Sequence, residues 1–237
     1  PAFGGPPAFD RAIADTLYPG PEEGRFLGGV PDFMGIVGAP ILAVGVYGAD
    51  SLALHTLGKS FVGNPNADHE LLALLEGYGV TMTIVQVTKL AVGRDRPIYG
   101  LGREGAPLRD SEATLSFFSG HSASSYYLAA FVSRDLADFL SAKPLSGSSR
   151  SAKFWTGHVL PAVLLYGAAG IVGLSRVIDQ QHYFTDVALG ALVGGALGNV
   201  AYNWHFDEEG RPRRRYDPRA EVRLVALPGG MGITGRF

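Results

Sequence analysis

Ser175-Arg176-Val177-Ile178-Asp179-Gln180-Gln181-His182-Tyr183-Phe184-Thr185-Asp186 joins two apolar runs, Trp155 to Leu174 and Val187 to Trp204, that hold no Asp, Glu, Lys or Arg. Charge-free runs close to the ~20 residues that cross a bilayer read as helices, either spanning lipid or buried on every side in a compact core. The polar turn between them then lies at one end of a helical bundle. An all-α fold follows, with its chemistry gathered where helices end.

Working outward, apolar periodicity and turn signals predict helices at about Phe9 to Leu17, Phe33 to Leu57, Asp68 to Val92, His121 to Leu140, Lys153 to Ser175 and Thr185 to Asn203. Pro40 and Pro161 kink or divide two of them, since proline lacks the N–H and crowds the preceding turn. Gly63-Asn64-Pro65-Asn66 and Leu145-Ser146-Gly147-Ser148-Ser149 read as turns, and residues 93–119, rich in Gly, Pro and Arg, as a long loop. Gly190, Gly194 and Gly198 recur every fourth residue, a helix face suited to close packing. Beyond residue 204, Glu221 to Leu227, Pro228-Gly229-Gly230 and Met231 to Phe237 make either a short β-hairpin or an extended arm. With 237 residues, 46% hydrophobic content and no long linker, one domain covers residues 1–237, its core about 70–204 and its tail 205–237.

Three blocks have complementary chemistry: Lys89 with Arg96-Pro97, Ser119-Gly120-His121, and Ser175-Arg176 with His182 and Asp186. Lys89, Arg96 and Arg176 are cations suited to an anionic ligand, and each arginine can grip two phosphate oxygens at once. Ser119-Gly120-His121 precedes an apolar run and is expected to open a helix, where unpaired N–H groups and a glycine backbone favour an anion. His182 and Asp186 are four apart. On a helix they share a face, so Asp186 would fix the tautomer of His182 and free its other nitrogen for attack. One histidine is then a nucleophile and the other a general acid, an inventory that suits phosphoryl transfer without a metal. The chain has no cysteine and no His-Glu-x-x-His pattern.

Ten positions in this order and spacing resemble the type 2 phosphatidic acid phosphatase (PAP2) superfamily, which also contains bacterial nonspecific acid phosphatases and vanadium haloperoxidases. The family pattern is Lys, six residues, Arg-Pro; Pro-Ser-Gly-His; and Ser-Arg, five residues, His, three residues, Asp. The chain departs from it once, with Phe118 in place of proline, which loosens the turn. The resemblance covers about residues 70 to 204 and implies an all-α, single-domain bundle. It implies that His182 forms a phosphohistidine, that Asp186 orients and charges it, and that His121 protonates the leaving group and later activates water. It also implies that Lys89, Arg96, Ser119, the Gly120 amide and Arg176 hold the phosphoryl oxygens, with no metal and no cofactor. The expected activity is a metal-independent phosphatase acting on a lipid phosphate or on phosphomonoesters broadly. Two other readings remain open: a vanadium-dependent haloperoxidase using the same cradle through His182, and a noncatalytic anion-binding membrane protein.

The remaining charged groups have plainer readings. His55, His69, His158 and His205 read as structural, Arg94 and Asp95 as a solvated loop pair, and Arg103 and Arg109 as surface residues of the long loop. Arg211, Arg213, Arg214, Arg215 and Arg219 are interleaved with acidic residues and read as an ordinary charged surface. A net charge of −2 argues against nucleic acid as a partner, and the absence of cysteine is silent on compartment. The chain starts at Pro1 with no charged-then-apolar leader, so an export signal has been removed or was never included. The apolar runs and the cations Arg134, Lys143, Arg150 and Lys153, opposite the three blocks, favour insertion. Dilution by glycine, alanine and proline, Glu76 and a mean hydropathy of +0.14 favour a compact soluble core. The expectation adopted is an exported periplasmic enzyme, with an integral inner-membrane protein whose active site faces the periplasm as the alternative. The expected partner is a phosphate ester, a lipid in the membrane case.

Overall fold

A computed structural model of the chain describes residues 6–20, 23–104, 106–207, 210–213, 222–227 and 230–235. Six helices of two turns or more run through these residues: α1, Ala8–Thr16; α2, residues 30–57; α3, Ala67–Val92; α4, Gly120–Ala142; α5, Arg150–Ile178; and α6, Phe184–His205. They are the six helices that the apolar periodicity predicts, with ends displaced by a few residues. Two short antiparallel strands, β1 at Val222–Leu227 and β2 at Gly230–Gly235, pair near the C-terminus as the hairpin alternative anticipates. Arg214, Arg215 and Arg219 of the basic cluster lie outside the described residues.

The two prolines act in one way. Met34–Gly38, just before Pro40, and Lys153–Val159, just before Pro161, are both π-helical. A proline cannot donate to the carbonyl four residues back, and its ring crowds that turn, so the helix widens for one turn instead of breaking.

Helix α4 is the centre of the bundle and packs against α3, α5 and α6. Its approach to α6 depends on the glycine face. A Cβ on Gly190 would lie 2.5 Å from the Ser119 carbonyl oxygen, one on Gly194 2.1 Å from that of Ala123, and one on Gly198 2.5 Å from that of Tyr127. Each is a backbone contact that no side-chain rotation can relieve. Below that seam, Tyr127, Phe131, Tyr202, Phe206 and Leu74 form the buried core. Tyr127 donates to the Leu74 carbonyl at 2.9 Å and Tyr202 to Asp138 at 2.7 Å, so these buried rings keep their hydroxyls paired.

The exterior is apolar. Segments Phe26–Leu57, Ala67–Gly100, Arg150–Ile178 and Phe184–His205 are each long and apolar enough to cross a membrane. Ile41, Leu42, Val87, Leu90, Val163, Leu164, Leu192 and Val200 point outward from them. A soluble bundle would turn its polar faces to water; these helices turn theirs inward or lack them. The chain is therefore an integral membrane protein with four candidate transmembrane helices, and the expected soluble periplasmic enzyme is not supported. Composition misled because a mean over the whole chain, +0.14, averages the apolar segments, 1.4 to 1.7, with polar loops and ends, while the large aliphatic residues of those segments face out.

Candidate active site

Four helix ends and one loop meet at the same end of the bundle. Helix α3 stops at Gly93, whose φ of +61° is the left-handed conformation of a helix terminator, and the Gly93 amide caps the Lys89 carbonyl. Lys89 is thus held in the last turn, and the chain leaves directly into Arg94 and Arg96. Helix α4 begins at Gly120 with Ser119 as its N-cap, the Ser119 hydroxyl accepting the Ser122 amide at 3.3 Å. The expected helix opening at Ser119-Gly120-His121 is present. Gly120 suits the close packing there: a Cβ would come within 3.3 Å of Val85 and 3.9 Å of the Lys89 ammonium, so the side-chain-free backbone leaves room for lysine beside the helix N-terminus. Phe118, in the position where the family pattern has proline, is buried against Val85 and Ala123.

Helix α5 ends just after Arg176. The Gln181 and His182 amides both return to the Arg176 carbonyl, at 3.0 and 3.1 Å, and Gln180 turns the chain with a φ of +54°. This tight reversal brings His182 back beside Arg176. His182 precedes α6 instead of lying on it: Tyr183 is the N-cap, and the Asp186 carboxylate accepts the Tyr183 amide at 3.0 Å. The four-residue spacing therefore reflects a helix entry and not a shared helix face.

The tautomer of His182 follows from its partner. Its Nδ1 lies 2.7 Å from the Ser116 backbone carbonyl, an acceptor only, so Nδ1 carries the proton and Nε2 keeps its lone pair. Asp186 was expected to do this, but its nearer oxygen is 4.0 Å from Nδ1. Asp186 instead accepts from Ser116 Oγ at 2.5 Å and pairs with Arg94, acting on His182 through Ser116 and through charge. The Ser119 amide donates to the Asp186 backbone carbonyl at 3.0 Å, which ties the second block to the third. His182 is 1% exposed, and burial, then the charges of Lys89, Arg176, His121 and Arg96, hold its pKa well below the ordinary histidine value of 6.5. A neutral, desolvated imidazole with one free nitrogen beside three cations is arranged for attack on phosphorus.

The two arginines of the blocks are partly committed. Arg96 donates to Gln181 at 2.7 Å and to Glu112 at 2.6 Å, and Arg176 pairs with Asp32. The Nε groups of both are buried without a partner among the described residues. Buried N–H donors left unpaired cost free energy, which an anion accepting from them would recover.

Five contributors were missed in the sequence pattern. Arg94 is no solvated loop residue: it pairs with Asp186 and, at 2.7 Å, with the fully buried Asp10 of α1, and its guanidinium stacks 4.2 Å above the Tyr183 ring. Asp10 also accepts the Thr185 amide at 3.0 Å, clamping α1 to the start of α6. Arg103 is likewise drawn in, donating to Gln180 at 3.2 Å and Asp15 at 2.7 Å. Ser116 works partly through its backbone, which no motif records. Asp32 of α2 lies 2.9 Å from His121 Nε2 and pairs with Arg176 and Arg25. It had a signal: it is the one charged residue between Phe26 and Ala49, and an ionisable group in an apolar span is a functional pointer.

A family model described as the PAP2 superfamily matches residues 70–209. The chain is 29% identical over 161 residues to mouse (Mus musculus) phospholipid phosphatase 1, covering 59% of this chain and 54% of that protein. It is 29% identical over 182 residues to Arabidopsis thaliana lipid phosphate phosphatase 1, covering 67% of this chain and 53% of that one. The chain thus spans about half the length of the curated relatives it matches. Its fold is similar to the crystal structure of a transmembrane PAP2-type phosphatidylglycerolphosphate phosphatase from Bacillus subtilis, with a TM-score of 0.56, 24% identity and coverage of 83% of this chain and 84% of that one.

Proposed function

The chain belongs to the PAP2 superfamily, and from that premise we propose that it is a membrane lipid phosphate phosphatase working through a phosphohistidine on His182. The observation that carries the reading is the neutral His182 imidazole, its Nδ1 fixed on the Ser116 carbonyl, among Lys89, Arg96 and Arg176. Lys89, Arg96, Arg176, the Ser119 hydroxyl and the Gly120 amide hold the phosphoryl oxygens. His182 Nε2 attacks phosphorus, the bond to the leaving oxygen breaks, and the departing alcohol takes a proton from His121. In the second half His121 accepts a proton from water, the resulting hydroxide attacks phosphorus, and the electron pair of the N–P bond returns to His182 as inorganic phosphate leaves. Asp186 stabilises the positive charge that His182 gains, and Arg94 holds that carboxylate in place.

The lipid part of the reading is supported by a cavity. About 490 Å³ of apolar space lies between α2, α4 and α5, lined among others by Pro31, Met34, Leu128 and Val172. Its upper end abuts the site, because Pro31 adjoins Asp32 and a Cβ on Gly35 would lie 2.5 Å from Val172 and 3.2 Å from the His121 ring. That volume falls in the range of small-ligand sites, and a hydrocarbon chain lying there keeps its phosphate at the polar end. Lys143, Arg150 and Lys153 mark the opposite end of the bundle, so the site faces away from the cytoplasm.

The test is a panel of p-nitrophenyl phosphate, phosphatidate and isoprenoid phosphates assayed in detergent with chelator present. Phosphate release from the lipid esters is expected to survive chelation and to fall by at least 10³-fold in His182→Ala. Loss of activity with chelator, or activity persisting in His182→Ala, would sink the proposal.

A further inference from the structure

The mechanism asks His121 to hold a proton in a place that opposes one. The side chain is 18% exposed, and the charged or titratable groups around it are Asp32 on α2, Arg176 on α5, Lys89 on α3 and His182 in the loop before α6. Burial and the two cations work against an imidazolium. Asp32 is the carboxylate in contact with the ring, and an anion within hydrogen-bond range favours the charged form.

The geometry points to Asp32 as the positioning residue that keeps His121 protonated and oriented for departure of the leaving alcohol. The inference rests on the phosphatase reading and extends it to a residue outside the matched span of 70–209. The ring edge bearing Cδ2 and Nε2 faces α2, where Gly35 lets the backbone close in and Asp32 accepts from Nε2 at 2.9 Å. Nδ1 is on the opposite edge, so the proton of the imidazolium that reaches the leaving oxygen is the one on Nδ1. When the phosphorus–oxygen bond breaks, that proton moves to the alkoxide and His121 becomes neutral, with Nε2–H still on Asp32. The ring is then oriented to take a proton from water at the same Nδ1. Asp32 is itself fixed by Arg25 at 2.7 Å and by Arg176, so it holds the ring from a braced position.

Asp32 also touches Arg176, so a variant could act through phosphate binding instead. The two effects separate by leaving group. A p-nitrophenolate departs without a proton, whereas an alkoxide needs one; both esters present the same phosphate to Arg176. In Asp32→Asn the ratio of kcat/KM for an alkyl lipid phosphate to kcat/KM for p-nitrophenyl phosphate is expected to fall by on the order of 10²-fold, the usual scale of general-acid help. Asp32→Glu, which keeps the carboxylate, is expected to recover most of that ratio. The basic limb of the pH profile for the alkyl substrate is expected to move to lower pH in Asp32→Asn. If Asp32→Asn fails to fold, Asp32→Ala carries the same comparison, since loss of the carboxylate must depress the alkyl ester more than the aryl one. Equal losses on both substrates, or an unchanged ratio in folded Asp32→Asn or Asp32→Ala, would overturn the inference. Tighter phosphate inhibition with no change in the ratio would do so too, by making Asp32 a competitor for the anion. A parent protein that hydrolyses neither ester would fail the phosphatase reading itself.

Discussion

Arg94 holds two carboxylates that are each fully shielded from water, Asp10 and Asp186, and covers the Tyr183 ring. Removing the guanidinium leaves both acids buried without their counter-charge, the costly way to break an ion pair. Arg94→Ala is expected to lower stability by about 3–5 kcal/mol, read as an earlier melting transition in detergent. His182 makes a second residue-scale prediction. Its pKa is depressed in the fold, so between that value and 6.5 the unfolded chain binds the extra proton. Stability from this group is complete above 6.5 and is lost as pH falls toward the folded value. For the same reason the nucleophile stays unprotonated in mild acid. The acid limb of kcat/KM is expected below the usual histidine range, and a limb centred near 6.5 would contradict the burial of His182.

At the scale of elements, the three blocks and the six helices were readable because each is written in local spacing: three- and four-residue periodicity, proline, glycine and helix-opening serine. The glycine face of α6 was readable too, and it makes a sharp comparison. Gly194→Ala would drive a methyl group into the Ala123 carbonyl and is expected to cost about 1–3 kcal/mol or more. Gly195→Ala, with nothing within 4 Å, is expected to gain up to about 1 kcal/mol from helix propensity alone. Thermal melting of the two variants side by side checks both signs. Less readable were the links made across the chain. Asp10 meets Thr185, Asp32 meets His121 and Arg176, and the Ser116 carbonyl meets His182; nothing in local sequence pairs residues so far apart. Asp186 was assigned the right neighbourhood and the wrong first partner, since spacing alone cannot tell a helix face from a helix entry.

At the scale of the whole molecule, apolar surface on four long segments sets the solvent. The protein is expected to stay with membranes through an alkaline carbonate wash and to need detergent for release, as checked by fractionation. The same architecture has a further consequence. Lys89 ends one long helix, His121 starts another, Arg176 ends a third, Asp186 starts a fourth, and Asp32 sits near the start of α2. Each of these helices except α4 lies in a segment whose apolar length must match the surrounding hydrocarbon, and mismatch is met by tilting. A tilt pivots a helix about its middle and moves its tip most, so the reacting groups stand where the displacement is largest. The spacing of those groups is therefore expected to depend on bilayer thickness. Turnover in vesicles of graded acyl length is expected to peak at one thickness and fall on both sides, with the surrounding lipid acting as a setting screw on the distance between two histidines.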